Sequence, residues 1–346
     1  MKLQDFSYSL LQELIAQFPI KDREQSGLLV LDRKTGQIAH RKFFEIIDYF
    51  EKGDVLILND TKVFKARLKG KKDTGGGVEV LLVKQVESGF WEALVHSSKR
   101  MRTGDRIFFE KEIFATVRAK APGKCYIEFS VPVEEVVRKF GIVPLPHYIK
   151  RNTVPADEET YQTVYAREEG SIAAPTAGLH FTPRLLKAIE NRGVKTVYIT
   201  LHIGPGTFKP IRVEDIERHR MEPEFVEISK DAAMAINNAP RVFGVGTSVT
   251  RALESVIGQN SCSDFSPQKN KTSVDDSFSG FTDLFIYPGH KFMTIDHLIT
   301  NFHLPCSTPL LLVCAFAGKE LIFKAYQEAI ASRYRFLSYG DAMLIM

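Results

Sequence analysis

An α/β main domain carrying an inserted small antiparallel β-barrel is the fold class that the sequence predicts. Three observations lead there. The chain has 346 residues, 44% of them apolar, which is more than one core usually serves. Short apolar, β-branched runs alternate with well-signposted helices at both ends of the chain. Between them, from Val63 to about Val131, short alternating strands recur at roughly 8–12-residue spacing with Gly and charged turns, the pattern of a small barrel or sandwich. The main domain is therefore assigned to residues 1–62 and 144–346, and the barrel to 63–143.

In order, Phe6 to Phe18 is amphipathic and ends at Pro19. Leu28–Asp32 reads as a strand, turning through Lys34-Thr35-Gly36 into Gln37–His40. Phe43–Phe50 is helical and stops at Gly53, and Val55–Leu58 is a short strand delivering Asn59-Asp60-Thr61. The barrel strands are Phe64–Leu68, Val78–Val83, Trp91–Val95, Arg106–Phe109, Ile113–Val117 and Cys125–Phe129, with Gly75-Gly76-Gly77 as a hairpin turn. Val143–Ile149 is a stiff, proline-rich connector. Thr182 caps a helix with Pro183 in its first position and Gly193 at its end. Val194–Ile203 is a strand, Val213–Arg220 a helix, and Ser229 caps a helix over Lys230–Asn238. Arg241–Arg251 reads as strand, loop and helix start. Gln259–Gly280 is polar and of low complexity, the composition of a flexible surface loop. Asp283–Tyr287 reads as a strand before a Pro288-Gly289 turn, and Lys319–Ser332 as an amphipathic helix. An apolar terminus carrying Tyr339 and Asp341 is expected to pack as a strand.

The net charge of +4 is unevenly spread. Residues 61–151 hold 19 Lys/Arg against 10 Asp/Glu, a net +9, which leaves the remainder at −5. That asymmetry points to a polyanionic partner for the middle segment. Lys69, Lys71, Lys72, Lys99, Arg100 and Arg102 cluster at its turns, where cations on a barrel grip a nucleic-acid backbone. The four cysteines are scattered without metal spacing and read as reduced thiols of a cytoplasmic protein. No apolar leader and no run long enough to span a bilayer is present, so no membrane role is expected.

The densest polar signal lies in Phe281–Gly318, where Asp296, Thr300, Asn301 and His303 fall between apolar runs ahead of a Ser-Thr-Pro helix start. Small residues from Gly170 to Phe181, including Thr176 and Gly178, permit close backbone approach. Gly204-Pro205-Gly206-Thr207 ends a strand as a ligand lip would. Gly244–Thr250 could hold a carboxylate or phosphate at a helix start, but it lacks the dinucleotide fingerprint.

The motifs GSIAAPTAGLHFT, LHIGPGTFKPI, VFGVGTSVTRALE, FIYPGHKFMTIDHLITNFHLPCSTPLLLVCAFAG and YRFLSYGDAMLI closely resemble the S-adenosylmethionine:tRNA ribosyltransferase-isomerase family of the queuosine pathway. The resemblance extends through DVLILNDTKVFKARL and WEALVHSSKRMRTGDRI and so spans nearly the whole chain. It implies that the ribosyl unit of S-adenosylmethionine is transferred and isomerised onto 7-aminomethyl-7-deazaguanine at the tRNA wobble position, yielding epoxyqueuosine, adenine and methionine. The sulfonium acidifies the adjacent 5'-methylene. Loss of that proton, ring opening and adenine departure are followed by amine attack and epoxide closure. Such a site needs a base, an acid for adenine and exclusion of water. S-adenosylmethionine is a co-substrate, and no metal or flavin is implied. The enzyme is expected to be a monomer.

Under this resemblance, His180, His202 and His303 are candidate acids or bases, and Asp60 and Asp296 offset the sulfonium or orient a base. Thr247, Ser248 and Arg251 hold the methionine carboxylate, while Asn301 and Tyr339 read the base edge or ribose. Thr176, Gly178, Gly204, Gly206 and Thr207 line the substrate. The sequence departs from the family pattern at Gly27, His147, Glu222 and Cys306. Two other readings compete. An S-adenosylmethionine-dependent RNA methyltransferase would want a glycine-rich loop after its first strand, which is missing. A non-catalytic RNA-binding protein would leave the histidines and glycine-rich lips without purpose.

Overall fold

The computed structural model describes residues 1–87, 89–97, 100–208, 210–259 and 277–346. A nine-stranded mixed sheet forms the main domain, in the spatial order 278–282, 224–228, 195–201, 55–59, 242–245, 297–301, 342–345, 27–31, 38–42. Lys195–Leu201, Val55–Asn59, Val242–Val245 and His297–Asn301 run parallel, so their carboxyl ends emerge on one edge. Val55–Asn59, Val242–Val245 and the terminal Ala342–Ile345 are buried at every position. That double burial explains why they read as continuous apolar runs and not as alternating ones. Separate apolar clusters cover the two faces: one includes Leu253, Leu311 and Phe336, the other Phe43, Phe181 and Phe243.

The barrel is built from Arg67–Lys72, Gly77–Glu87, Phe90–Ser97, Lys124–Phe129, Phe114–Ala121 and Arg106–Phe108. It closes where Lys71 and Lys72 pair with Phe108 and Ile107. Closure leaves few open strand edges, and alternation sends Val78, Val80 and Leu82 inward. A helix, Val133–Phe140, plugs the barrel with Val133 and Val136, and Ile172 of the main domain joins the same cluster. The fold class is therefore an α/β domain with an inserted antiparallel barrel.

Several local expectations are corrected, each because a long-range bond claims the backbone. Phe6–Phe18 contains only short 3-10 turns, since Phe336 N–H donates to Leu14 O at 2.8 Å and Ala16 N–H to Phe336 O at 3.3 Å. Val213–Arg220 holds a single turn, Ile216–Arg218, because Leu3 N–H binds Glu214 O and Ile216 N–H binds Met1 O. Asp283–Tyr287 is not a strand: Arg251 Nε donates to Leu284 O at 2.9 Å, and Leu284 N–H is held by Thr282 Oγ1 at 3.2 Å. The strand lies just before it, Phe278–Thr282, paired with Glu224–Ile228, which the sequence reading also missed. The expected loop over Gln259–Gly280 falls mostly on residues 260–276, outside the described residues. No helix among the described residues is long and apolar enough to cross a membrane.

Candidate active site

A cavity opens at the carboxyl ends of the parallel strands, the usual place for ligands in an open α/β sheet. Thr176, Gly246–Ser248, Arg251, Thr300, Asn301 and His303 line it. Three segments far apart in sequence thus supply one wall each. Gly246 adopts φ +91°, a left-handed backbone that favours glycine, and this turns the Val242–Val245 strand directly into the Gly246–Gln259 helix with no intervening loop. The first turn of that helix faces the cavity, so its unsatisfied N–H groups and dipole favour an anion there.

Arg251 lies one turn further along and is 8% exposed. Its Nη1 pairs with Glu224, its Nε donates to Leu284 O, and its Nη2 is buried without a hydrogen-bond partner among the described residues. Glu224 in turn accepts Gly204 N–H at 2.9 Å. Glu224 also lines the cavity and was missed by sequence reasoning. The signal was present, an acidic residue opening the alternating Glu224-Phe225-Val226-Glu227-Ile228 run, but its partner strand is remote. Tyr148 and Ser338, also missed, share a 2.6 Å hydroxyl contact in the wall.

Asn301 is fixed in orientation. Thr176 Oγ1 donates to its Oδ1 at 2.9 Å, and its Nδ2 donates to His180 Nε2 at 3.0 Å. With Nε2 accepting, His180 carries its proton on Nδ1 and donates to Ser26 Oγ at 2.8 Å. His180 is 4% exposed and outside the cavity, so it acts on Asn301 from behind. Burial lowers its pKa to about 3 from an ordinary 6.5. The unfolded chain then binds this proton more readily between those values, so the stability it confers is complete above pH 6.5 and declines as pH falls toward 3. His180→Gln should flatten that acid limb, by up to ~1.4 kcal/mol per pH unit. Urea unfolding at several pH values reads it; parallel acid limbs in the two proteins would contradict it.

His303 is the one histidine among the described lining residues. Desolvation lowers its pKa to about 3, keeping the imidazole neutral. Its Nε2 lies 3.3 Å from Thr300 Oγ1 and its Nδ1 3.3 Å from Tyr326 Oη.

The remaining candidates stand elsewhere. Asp60 is engaged by Arg167 Nη2 and Thr200 Oγ1, both at 2.7 Å. His202 binds Thr61 Oγ1 at 2.8 Å and packs so closely on Gly170 that a Cβ there would lie 2.6 Å from its Nε2. Asp296 sits at the amino end of the strand whose carboxyl end carries Asn301. Its Oδ2 accepts Val242 N–H at 2.8 Å, tying adjacent strands together at the edge away from the cavity. Tyr339 donates to Asp157 Oδ1 at 3.1 Å and does not line the cavity. Gly178 is a packing glycine, since a Cβ would meet Tyr165 Oη at 2.0 Å. Gly204 presents its N–H to Glu224, Gly206 stands outside the cavity wall, and Thr207 belongs to the same Pro205–Phe208 turn. Asn59 braces the site: its Nδ2 reaches Leu201 O at 2.9 Å and Ser248 Oγ at 3.4 Å.

On the barrel, Lys72, Arg100, Arg102, Arg106 and Lys120 ring an open cleft together with Asp73 and Asp105. Lys69 and Lys71 are exposed on the strand that ends at Lys72, and Lys99 lies outside the described residues.

Residues 3–345 match a family described as "Queuosine biosynthesis protein". Proteins named S-adenosylmethionine:tRNA ribosyltransferase-isomerase align over the full length of both partners. Those of Caldanaerobacter subterraneus subsp. tengcongensis and Halothermothrix orenii are 48% and 47% identical over 355 residues. That of Acetivibrio thermocellus is 47% identical over 354 residues. The crystal structure of a Thermotoga maritima S-adenosylmethionine tRNA ribosyltransferase matches with a TM-score of 0.55 and 34% identity, covering 99% of this chain and 100% of that one. The family match runs over nearly the whole chain and the relatives align end to end, so this chain belongs to the queuosine biosynthesis protein family.

Proposed function

We propose that this chain is an S-adenosylmethionine:tRNA ribosyltransferase-isomerase that converts 7-aminomethyl-7-deazaguanine in tRNA to epoxyqueuosine. The observation that carries the reading is that Thr176, the Gly246–Ser248 helix start with Arg251, and Thr300, Asn301 and neutral His303 meet in one cavity of a chain that matches this family over residues 3–345. The methionine carboxylate of the donor sits at the Gly246–Ser248 helix start and takes the unpaired Nη2 of Arg251. The ribosyl and adenine portions extend toward Thr176, Asn301 and His303. Neutral His303 can hydrogen-bond without adding a positive charge beside the sulfonium. Asp60, His202, Asp296 and Tyr339 act through the scaffold, with no direct contact to the donor. Adenine release from S-adenosylmethionine should require tRNA carrying the aminomethyl precursor. Adenine released equally with unmodified tRNA, or not at all, would contradict the assignment.

The tRNA phosphates are gripped by the barrel cleft. Replacing Arg100 and Arg102 by alanine should weaken binding and reduce the slope of log K against log salt by roughly 0.7–0.9 for each phosphate no longer engaged. A variant slope equal to that of the unchanged protein would place the RNA face elsewhere.

A further inference from the structure

His303 is held from two sides by tyrosines. Tyr8 Oη donates to the His303 carbonyl, and Tyr326 Oη accepts the His303 backbone N–H at 3.1 Å. Tyr326 is 2% exposed, on the Lys319–Ala331 helix, wedged among Tyr8, Phe302 and Phe336. A phenol has one proton to give, and a buried one left without an acceptor is costly. The acceptor beside it is His303 Nδ1 at 3.3 Å. If Nδ1 accepts, a neutral ring must carry its proton on Nε2, and Nε2 is the nitrogen beside Thr300 in the cavity wall.

We infer that Tyr326 is a positioning residue that fixes His303 in its Nε2–H tautomer, so that the histidine presents the cavity with a hydrogen-bond donor and not a base. A neutral imidazole used as a donor polarises an acceptor on the substrate, a ribosyl oxygen or an adenine nitrogen, without placing a cation next to the sulfonium. A ligand atom at Nε2 displaces the long contact to Thr300. Another group then removes the 5'-methylene proton. The catalytic consequence rests on the reaction proposed above; the tautomer does not.

The test is ring-nitrogen NMR of the full chain labelled with ¹⁵N-histidine, the His303 signals being identified by their loss in His303→Ala. The expected wild-type pattern is pyrrole-like Nε2 and pyridine-like Nδ1 at neutral pH. Tyr326→Phe keeps the ring but removes the hydroxyl. It should bring the two nitrogen shifts toward each other and lower kcat on the order of a hundredfold, with KM for the donor little changed. A pyridine-like Nε2 in the wild type overturns the inference, and so do unchanged nitrogen shifts in Tyr326→Phe. Shifted nitrogens with undiminished turnover overturn its catalytic part. Should the variant fail to fold, the wild-type spectrum decides alone. An intact tautomer in a protein that releases no adenine would support the assignment while sinking the ribosyl-transfer reading.

Discussion

His303→Ala loses turnover by a factor on the order of 10²–10⁴ while the protein remains folded. The residue lines the cavity, stays neutral through desolvation, and is fixed at its backbone by Tyr8 and Tyr326. Alanine keeps both backbone contacts and removes only the ring. The structural penalty is then the Tyr326 hydroxyl deprived of its Nδ1 acceptor, about 1–3 kcal/mol. Single-turnover formation of the modified nucleoside, measured beside a thermal melt, separates the two effects. Near-normal turnover in a folded variant would remove His303 from the chemistry.

Arg251→Gln has two consequences that can be told apart. The donor loses a charge-assisted hydrogen bond of about 1.5–3 kcal/mol, which is roughly a ten- to hundredfold rise in Kd. Glu224, 3% exposed, loses its counter-charge, and a buried carboxylate left alone costs about 3–5 kcal/mol. Adding Glu224→Gln removes that stranded charge. The double variant should regain most of the missing stability but none of the missing donor affinity. Calorimetric titration with S-adenosylmethionine and urea unfolding read the two separately. Wild-type donor affinity in the double variant would show that Arg251 serves only the ion pair.

Features fixed by local chemistry were legible in the sequence. Thr182, Ser229 and Ser307 cap their helices through the side-chain bonds that their residue types suggest. The buried parallel strands announced themselves as unbroken apolar runs. Non-local features were hidden. Nothing near Phe6 or Val213 reveals that the amino terminus will borrow the backbone of Glu214 and Phe336. Nothing near Glu224 reveals that its strand will pair with Phe278–Thr282. The same holds for the site. Thr247, Ser248, Arg251, Asn301 and His303 line one cavity because each sits at the end of a motif that the fold brings to one edge. Asp296 and His180 carry equally suggestive types, yet one lies at the wrong end of its strand and the other behind Asn301. Tyr326 reads as an ordinary core residue on an amphipathic helix, and only its hydroxyl's two partners distinguish it.

In the proposed reaction the donor gives up its ribosyl unit and not its methyl group. S-adenosylmethionine labelled with ¹⁴C in the methyl group and ³H in the ribose separates the two fates, with tRNA carrying the aminomethyl precursor as acceptor. Ribosyl transfer puts tritium in the tRNA nucleoside and carbon-14 in free methionine, with one adenine released per nucleoside modified. Carbon-14 in the tRNA with tritium left in a nucleoside by-product would mean methyl transfer, and would contradict the proposed reaction.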